Sequence, residues 1–313
     1  MTAARVLVTG AGGFVGRALV ARLASTTEVV AASRVMQHES FAVRRHLIAD
    51  LDGTTDWSRP LIGCDTVVHL AARVHVMIET AQDPRAAFMR ANADASRRLA
   101  QQAAQSGIRR FLLVSTIGAC GAKSVRGSPI GPDSPVAPHD PYSESKVAAE
   151  QAVREACAAS DMDWTIVRPP MIYGRGAPGN FEAMLRVLAK RLPLPLRSID
   201  NRRSLVAIDN LVDLIATATV HPAASGRILT VSDGEDLSTP DLLERTARAM
   251  GLPGARLFPF PPSALERALR ALGRGRTAER LLGNLEVDSS DTRTALGWRP
   301  RISVDEALRK SVS

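Results

Sequence analysis

The sequence is poor in aromatic residues and cysteine, and it has no long apolar run. Aromatics are 4% of 313 residues, too few rings for the stacking platform that single-stranded nucleic acids use. Cys64, Cys120 and Cys157 are widely spaced, which excludes a disulfide framework and a zinc-type ligand pattern. Cys120 reads as a small packed residue, not a nucleophile. No stretch reaches the ~18 apolar residues of a membrane-crossing helix. The first strand, Arg5-Val6-Leu7-Val8, begins almost at Met1 and leaves no room for a secretory leader, so a reducing cytoplasm is expected. His69 and His75 are six apart with no acidic cluster beside them, so no metal is expected.

Acidic residues are the minority: 32 Asp and Glu against 40 Lys and Arg give a net charge of +8. A basic chain gains affinity for nucleic acid from phosphate contacts. Here the arginines are scattered and no nucleic-acid motif accompanies them, so the excess reads as the arginine usage of a GC-rich genome together with a pocket for an anionic substrate. One segment is different. Within 263–282, Leu265, Leu269 and Leu272 recur at helical spacing among Arg267, Arg270, Arg274, Arg276 and Arg280. The ordinary reading is a helix packing its leucines on a core; the alternative is peripheral contact with an anionic membrane.

What is present is an α/β pattern at a length that suits one large domain plus a smaller lobe. Short apolar runs at Arg5–Val8, Val29–Ala32, Arg45–Ala49, Thr66–Leu70, Phe111–Ser115 and Trp164–Val167 alternate with helical stretches at Phe14–Ala24, Pro84–Gln105 and Pro141–Ala159. Repeated βαβ units with right-handed crossovers predict a Rossmann-type doubly wound parallel sheet. After Pro169-Pro170 the texture changes to helices at Asn180–Arg191, from an Asp209 cap through Ala218, and at Ser238–Met250, then a tail of short helices ending near Lys310. The expected division is a dinucleotide-binding domain over 1–170, with segments of about 200–232 returning to it, and a mostly helical substrate lobe over 171–313.

The first strand runs through Gly10-Ala11-Gly12-Gly13-Phe14-Val15-Gly16 directly into a helix. A glycine loop alone is weak evidence; between a first strand and a helix it is the arrangement that holds a pyrophosphate on a helix N-terminus. The second strand ends Ala32-Ser33-Arg34 with no acid for a ribose hydroxyl. Ser33 and Arg34 suit a 2′-phosphate, which leans the NAD-or-NADP choice towards NADP. Asp50 and Leu51 are placed to bracket the adenine edge.

Pro141-Tyr142-Ser143-Glu144-Ser145-Lys146 opens a helix. Tyr142 and Lys146, four apart, share a face. A phenol is a poor base at neutral pH, and a neighbouring ammonium lowers its pKa. The Ser115-Thr116 pair at a strand end supplies a partner hydroxyl. The Gly10/Gly13/Gly16 loop, His69-Leu70-Ala71-Ala72, Asn92, Ser115-Thr116, Tyr142 with Lys146, Arg168-Pro169-Pro170 with Tyr173-Gly174, and Leu296-Gly297-Trp298-Arg299-Pro300 together resemble the extended short-chain dehydrogenase/reductase family.

That resemblance implies roles. Tyr142 is the acid/base, Lys146 bonds the nicotinamide ribose, and Thr116 is the third catalytic hydroxyl, with Ser115 beside it. Leu70, Ala71, Ala72 and Pro169 line the nicotinamide and its ribose, and Asn92 supports the site. Asn180 and Arg203 stand where relatives grip UDP, although one of the adjacent Arg202 and Arg203 is equally suited to the surface. Dehydratases of the family carry an acidic pair after the catalytic hydroxyl, whereas Ile117-Gly118 follows Thr116 here. The implied function is a nucleotide-sugar 4-epimerase type acting on a UDP-hexose or UDP-N-acetylhexosamine in bacterial polysaccharide biosynthesis. Alternatives are an NADPH-dependent 4-ketoreductase of a UDP-4-keto-6-deoxy sugar, an epimerase of a lipid-diphosphate-linked sugar, and a non-catalytic dinucleotide-binding regulator. Relatives dimerise through two long helices, here about 84–105 and 141–159, so a homodimer is expected.

Overall fold

A computed structural model describes residues 4–35, 43–74 and 81–313; His75 lies outside them. Its main sheet is built from β1 (Arg5–Thr9), β2 (Glu28–Ser33), β3 (Arg44–Leu47), β4 (Thr66–His69), β5 (Arg110–Val114), β6 (Asp163–Arg168) and β9 (Arg227–Thr230). Their order is β3-β2-β1-β4-β5-β6-β9, and every pairing is parallel. This is the expected doubly wound fold. Strand order reverses between β1 and β4, and such a sheet opens its ligand crevice at the strand C-terminal ends there. β4 is buried along its whole length, as parallel strands covered on both faces must be.

Each face of the sheet carries its own core. On one, α1 (Phe14–Leu23) buries Gly16, Leu19, Val20 and Leu23, the i, i+3, i+4, i+7 stripe of a helix, and packs on α7 (Ile208–Val220). On the other, Trp57 and the short α2 (Ser58–Leu61) join α4 (Ala95–Gln105) and α5 (Pro141–Ala158) around Leu99, Ala103, Ala149 and Val153. The apolar stripes of α4 and α5 therefore face the sheet.

The single helix expected from Pro84 to Gln105 is interrupted. α3 (Pro84–Phe88), capped by Asp83, passes into a π-helical turn (Met89–Asp94) before α4 begins. π-turns recur at functional sites because they re-aim a side chain, and this one carries Asn92. Asp209 is not the cap of α7: Ala207 holds that place without a side-chain bond, and Asp209 lies in the first turn. An acid there still favours the positive helix end.

Residues after Tyr173 interleave. β7 (Met171–Tyr173), β8 (Arg203–Ala207) and β10 (Asp236–Leu237) form a small sheet in the order β10-β8-β7. These strands and β9 were not read from the sequence, because runs of two to five residues show no period against the helices around them. The small sheet packs with α6 (Asn180–Ala189) and α12 (Val304–Val312). α8 (Thr239–Ala249), capped by Ser238, joins α6, Leu265 of α9 (Pro262–Ala271) and Leu281 and Leu282 of α10 (Gly275–Leu282) in a second lobe core. After α11 (Ser290–Leu296), Trp298 returns to the α1–α7 core and donates through Nε1 to Asp213 at 3.1 Å.

α5 and β6 are joined by a buried ion pair. Arg168 donates to both Glu150 oxygens, at 2.6 and 3.0 Å, with side chains 1% and 4% exposed. Removing one partner strands a buried charge, whereas replacing both with apolar groups does not. Glu150→Ala is expected to lose about 3–5 kcal/mol in urea unfolding, and Glu150→Leu with Arg168→Met to recover most of it.

Candidate active site

The crevice is a cavity of about 620 Å³ running from the glycine loop to the lobe. At its first end Gly10 has φ +67, and a Cβ there would lie 2.7 Å from the Ala71 nitrogen. A Cβ on Gly16 would lie 2.1 Å from the Gly10 carbonyl. The loop thus fits against β4 and α1 only as glycine. α1 has no side-chain cap, so its first-turn N–H groups are available to an anion. Gly12, Gly13, Phe14, Val15, Ser33 and Arg34 all line this end. The Ser33 hydroxyl donates to the Val35 carbonyl at 2.7 Å. Asp50 and Leu51 do not reach the cavity: Leu51 packs against the α4–α5 core, the Asp50 carbonyl accepts from Thr55 Oγ1, and Ile48 lines the wall instead.

In the middle, Leu70, Ala71 and Ala72 face Ser115, Thr116, Tyr142, Lys146 and Pro169 across the cavity. Asp140 caps α5, accepting from Ser143 N at 2.8 Å, with Pro141 in the first turn; the cap fixes where the helix starts, and the four-residue spacing then aims Tyr142 and Lys146 together. Phe88 stands edge-on to the Tyr142 ring at 6.0 Å, with Arg73 over its face at 5.4 Å. Ser115 Oγ is buried and has no hydrogen-bond partner among the described residues. A buried, unpaired hydroxyl on the wall of a cavity fits a ligand with a polar edge.

Behind the wall runs a hydrogen-bonded chain of buried side chains. Ala71 N–H donates to Thr9 Oγ1 (3.3 Å), which bonds His69 Nδ1 at 2.7 Å. Ser96 spends its own hydrogen on the Asn92 carbonyl at 2.5 Å, so its Oγ accepts from His69 Nε2 at 3.0 Å, and Nδ1 of the neutral ring accepts from Thr9. The Asn92 amide donates to Ser145 Oγ (2.8 Å), and Ser145 donates to the Tyr142 carbonyl (2.7 Å). Asn92 also grips both backbone groups of Arg73, at 2.7 and 3.1 Å. It lies behind the cavity, not on its surface.

Burial governs the electrostatics. It lowers the Lys146 pKa to about 8 against the opposing charge of Glu150. It also raises Tyr142 above an ordinary phenol, with Asp140 pushing the same way. The lowering of Tyr142 expected from Lys146 is therefore not seen in the protein alone, where loss of hydration outweighs it.

The far end belongs to the lobe. Arg203, the first residue of β8, lines the cavity, whereas Arg202 just before the strand is exposed. Arg203 donates to the Gly283 carbonyl at 2.9 Å, and burial followed by the Arg280 charge lowers its pKa to about 10. Asn180 lines the same end and accepts from Arg280 at 3.4 Å. Arg276, Arg280 and His139 also line the cavity and were not picked out from the sequence as site residues. Both arginines were read only as part of a basic helix, because nothing local shows which side of a hairpin meets a cleft.

A model of the NAD dependent epimerase/dehydratase family matches residues 6–232. The chain belongs to that family. The expectation of an extended short-chain dehydrogenase/reductase enzyme is met. Within the family, the chain is 36% identical to a UDP-glucose 4-epimerase of Vibrio cholerae over 98% of this chain and 94% of the relative. It is 26% identical to an N-acetyl-alpha-D-glucosaminyl-diphospho-ditrans,octacis-undecaprenol 4-epimerase of Escherichia coli O157:H7 over 82% and 76%. A UDP-glucuronic acid 4-epimerase from Bacillus cereus, solved in complex with NAD, superposes with a TM-score of 0.77 at 20% identity over 98% and 97% of the two chains, which shows the shared fold.

Burial and the Lys146 charge lower the His69 pKa to about 3. Between that value and the ordinary 6.5, the unfolded chain holds a proton that the folded chain does not, so stability falls as pH falls through this window. At pH 5 the cost is about 2 kcal/mol. Melting temperatures of wild type and His69→Gln measured from pH 7 to 4 should show a flatter acid slope in the variant; parallel slopes would contradict a neutral His69.

Proposed function

We propose that the chain is an NAD-dependent 4-epimerase of a hexose or N-acetylhexosamine carried on UDP, of the kind that feeds bacterial polysaccharide synthesis. The observation that carries this reading is one continuous cavity with the glycine cradle at one end, Thr116, Tyr142 and Lys146 in the middle, and Arg203 with Arg280 at the other. In it the cradle and α1 hold the pyrophosphate of NAD, Lys146 and Ser115 meet the nicotinamide ribose and ring, and Leu70, Ala71, Ala72 and Pro169 exclude water around them. Bound nicotinamide supplies the hydride acceptor and donor. Tyr142 takes the proton of the sugar C4 hydroxyl and returns it, while Thr116 donates to the same oxygen. Arg203 and Arg280 bind the diphosphate, with Asn180 orienting Arg280.

Gly118 supports epimerisation over dehydration. A Cβ there would lie 2.7 Å from Ser143 Oγ and 3.3 Å from Thr116 Oγ1, so the acid that elimination of water requires could stand there only by displacing Ser143. Names and ligands of the relatives support NAD and a C4 reaction. A second reading, an NADPH-dependent 4-ketoreductase, is favoured by Arg34 on the adenosine side of the cavity; against it, Ser33 has already committed its hydrogen to Val35. A homodimer through α4 and α5 belongs to the proposal, and a monomer mass by light scattering would remove it.

Nucleotide released from the denatured protein should be stoichiometric NAD by mass spectrometry. An empty protein that prefers NADPH, with the preference erased by Arg34→Ala, would favour the ketoreductase, and a protein that binds neither would overturn both. In assays with UDP-glucose and UDP-GlcNAc, Tyr142→Phe should cut kcat by roughly 10²–10⁴. Arg203→Ala should raise KM about ten- to a hundredfold with less effect on kcat.

A further inference from the structure

The α9–α10 hairpin presents arginines in two directions. Arg276 and Arg280 line the cavity, whereas Arg267, Arg270 and Arg274 do not and are exposed. Ser263, Arg267 and Arg270 follow one another at four and three residues, one row along α9, and Arg274 continues past it in the turn before α10. α9 contains no buried residue. It is held through the partly buried Leu265, which packs on the lobe core with Leu257, Leu281 and Leu282. Glu266 pairs with Arg270 at 2.9 Å. Among the described residues, Arg267 and Arg274 have no carboxylate partner.

Large apolar side chains are exposed just before and just after α9. Phe258 and Phe260, just before α9, are 41% and 36% exposed, and Leu272 at its end is 71% exposed. Residues 253–282 hold six arginines and two glutamates, so this stretch of thirty residues carries +4 of the chain's +8. Exposed rings in the same segment as guanidinium groups without a carboxylate partner match an anionic lipid surface: the rings enter the interface and the charges meet phosphates. A second copy of the chain fits less well, because a two-fold contact would set the outward arginines, +2 after Glu266, against themselves.

We propose that the outer face of the α9–α10 hairpin docks on an anionic bilayer, which holds the substrate end of the cavity at the membrane surface. The docking is independent of the epimerase reading, since it concerns residues outside the cavity and is tested without turnover. The full chain is sedimented with phosphatidylcholine vesicles and with phosphatidylcholine vesicles containing phosphatidylglycerol. Binding is expected only to the second, weakening as salt rises, and Arg267→Glu/Arg270→Glu/Arg274→Glu should lower it about a hundredfold. Phe260→Ser should weaken it with less change in salt dependence. The exposed control triple Arg59→Glu/Arg299→Glu/Arg309→Glu, away from the hairpin and from α4 and α5, should leave it unchanged. Circular dichroism of each variant separates lost docking from lost folding, and the wild-type salt dependence stands without any variant. No wild-type binding to the anionic vesicles overturns the proposal. An equal loss in the control triple also does so, since it marks general basic charge. A wild-type dimer that the hairpin triple turns into a monomer, without vesicle binding, assigns the face to a second copy instead.

Discussion

The hydrogen-bonded chain from Thr9 through His69, Ser96 and Asn92 to Ser145 joins three elements that are distant in sequence: the end of β1 just before the glycine loop, the end of β4, and the start of α5. Its members are buried, so each polar atom must be paired within the protein. Every donor along the chain has one acceptor, which fixes the His69 tautomer and keeps that ring neutral. The π-turn is what brings Asn92 into reach: an uninterrupted α-helix from Pro84 would set its carbonyls and amide in a different phase. The relative position of glycine cradle and Tyr142 follows from this one constraint.

Around that frame the charges are arranged by burial. Lys146, Glu150 and Arg168 succeed one another inward from the cavity wall, with Arg168 also donating to Cys120 Sγ at 3.2 Å. Cys120 is thus a packed, hydrogen-bonded thiol whose pKa burial raises, consistent with a small interior residue. At the other end the lobe supplies cations that meet the cavity from β8 and α10. The site combines a neutral relay at its back, a lysine with lowered pKa in its middle and guanidinium groups at its far end.

The lobe is also where local signals fail. β7, β8, β9 and β10 are too short for a strand period to emerge, and they are strands because neighbours complete their ladders. Arg203 was legible as a site residue through its position, but only the start of β8 at Arg203 separates it from the exposed Arg202. Asp50 and Leu51 sit at the right point along the chain for an adenine pocket, yet neither lines the cavity: the Asp50 carbonyl accepts from Thr55 and Leu51 packs on the core.

The sequence by itself determined the doubly wound sheet, the glycine turn and the shared face of Tyr142 and Lys146, because each follows from periodicity, capping and steric rules acting over a few neighbouring residues. Only the tertiary structure decided that Asn92 acts from behind the wall, that Gly118 packs against Ser143 beside Thr116, and that the arginines of one hairpin divide between cavity and surface. Those outcomes depend on contacts between residues tens to more than a hundred positions apart, and on burial that sets a pKa or orphans a hydroxyl only after the chain has closed around it.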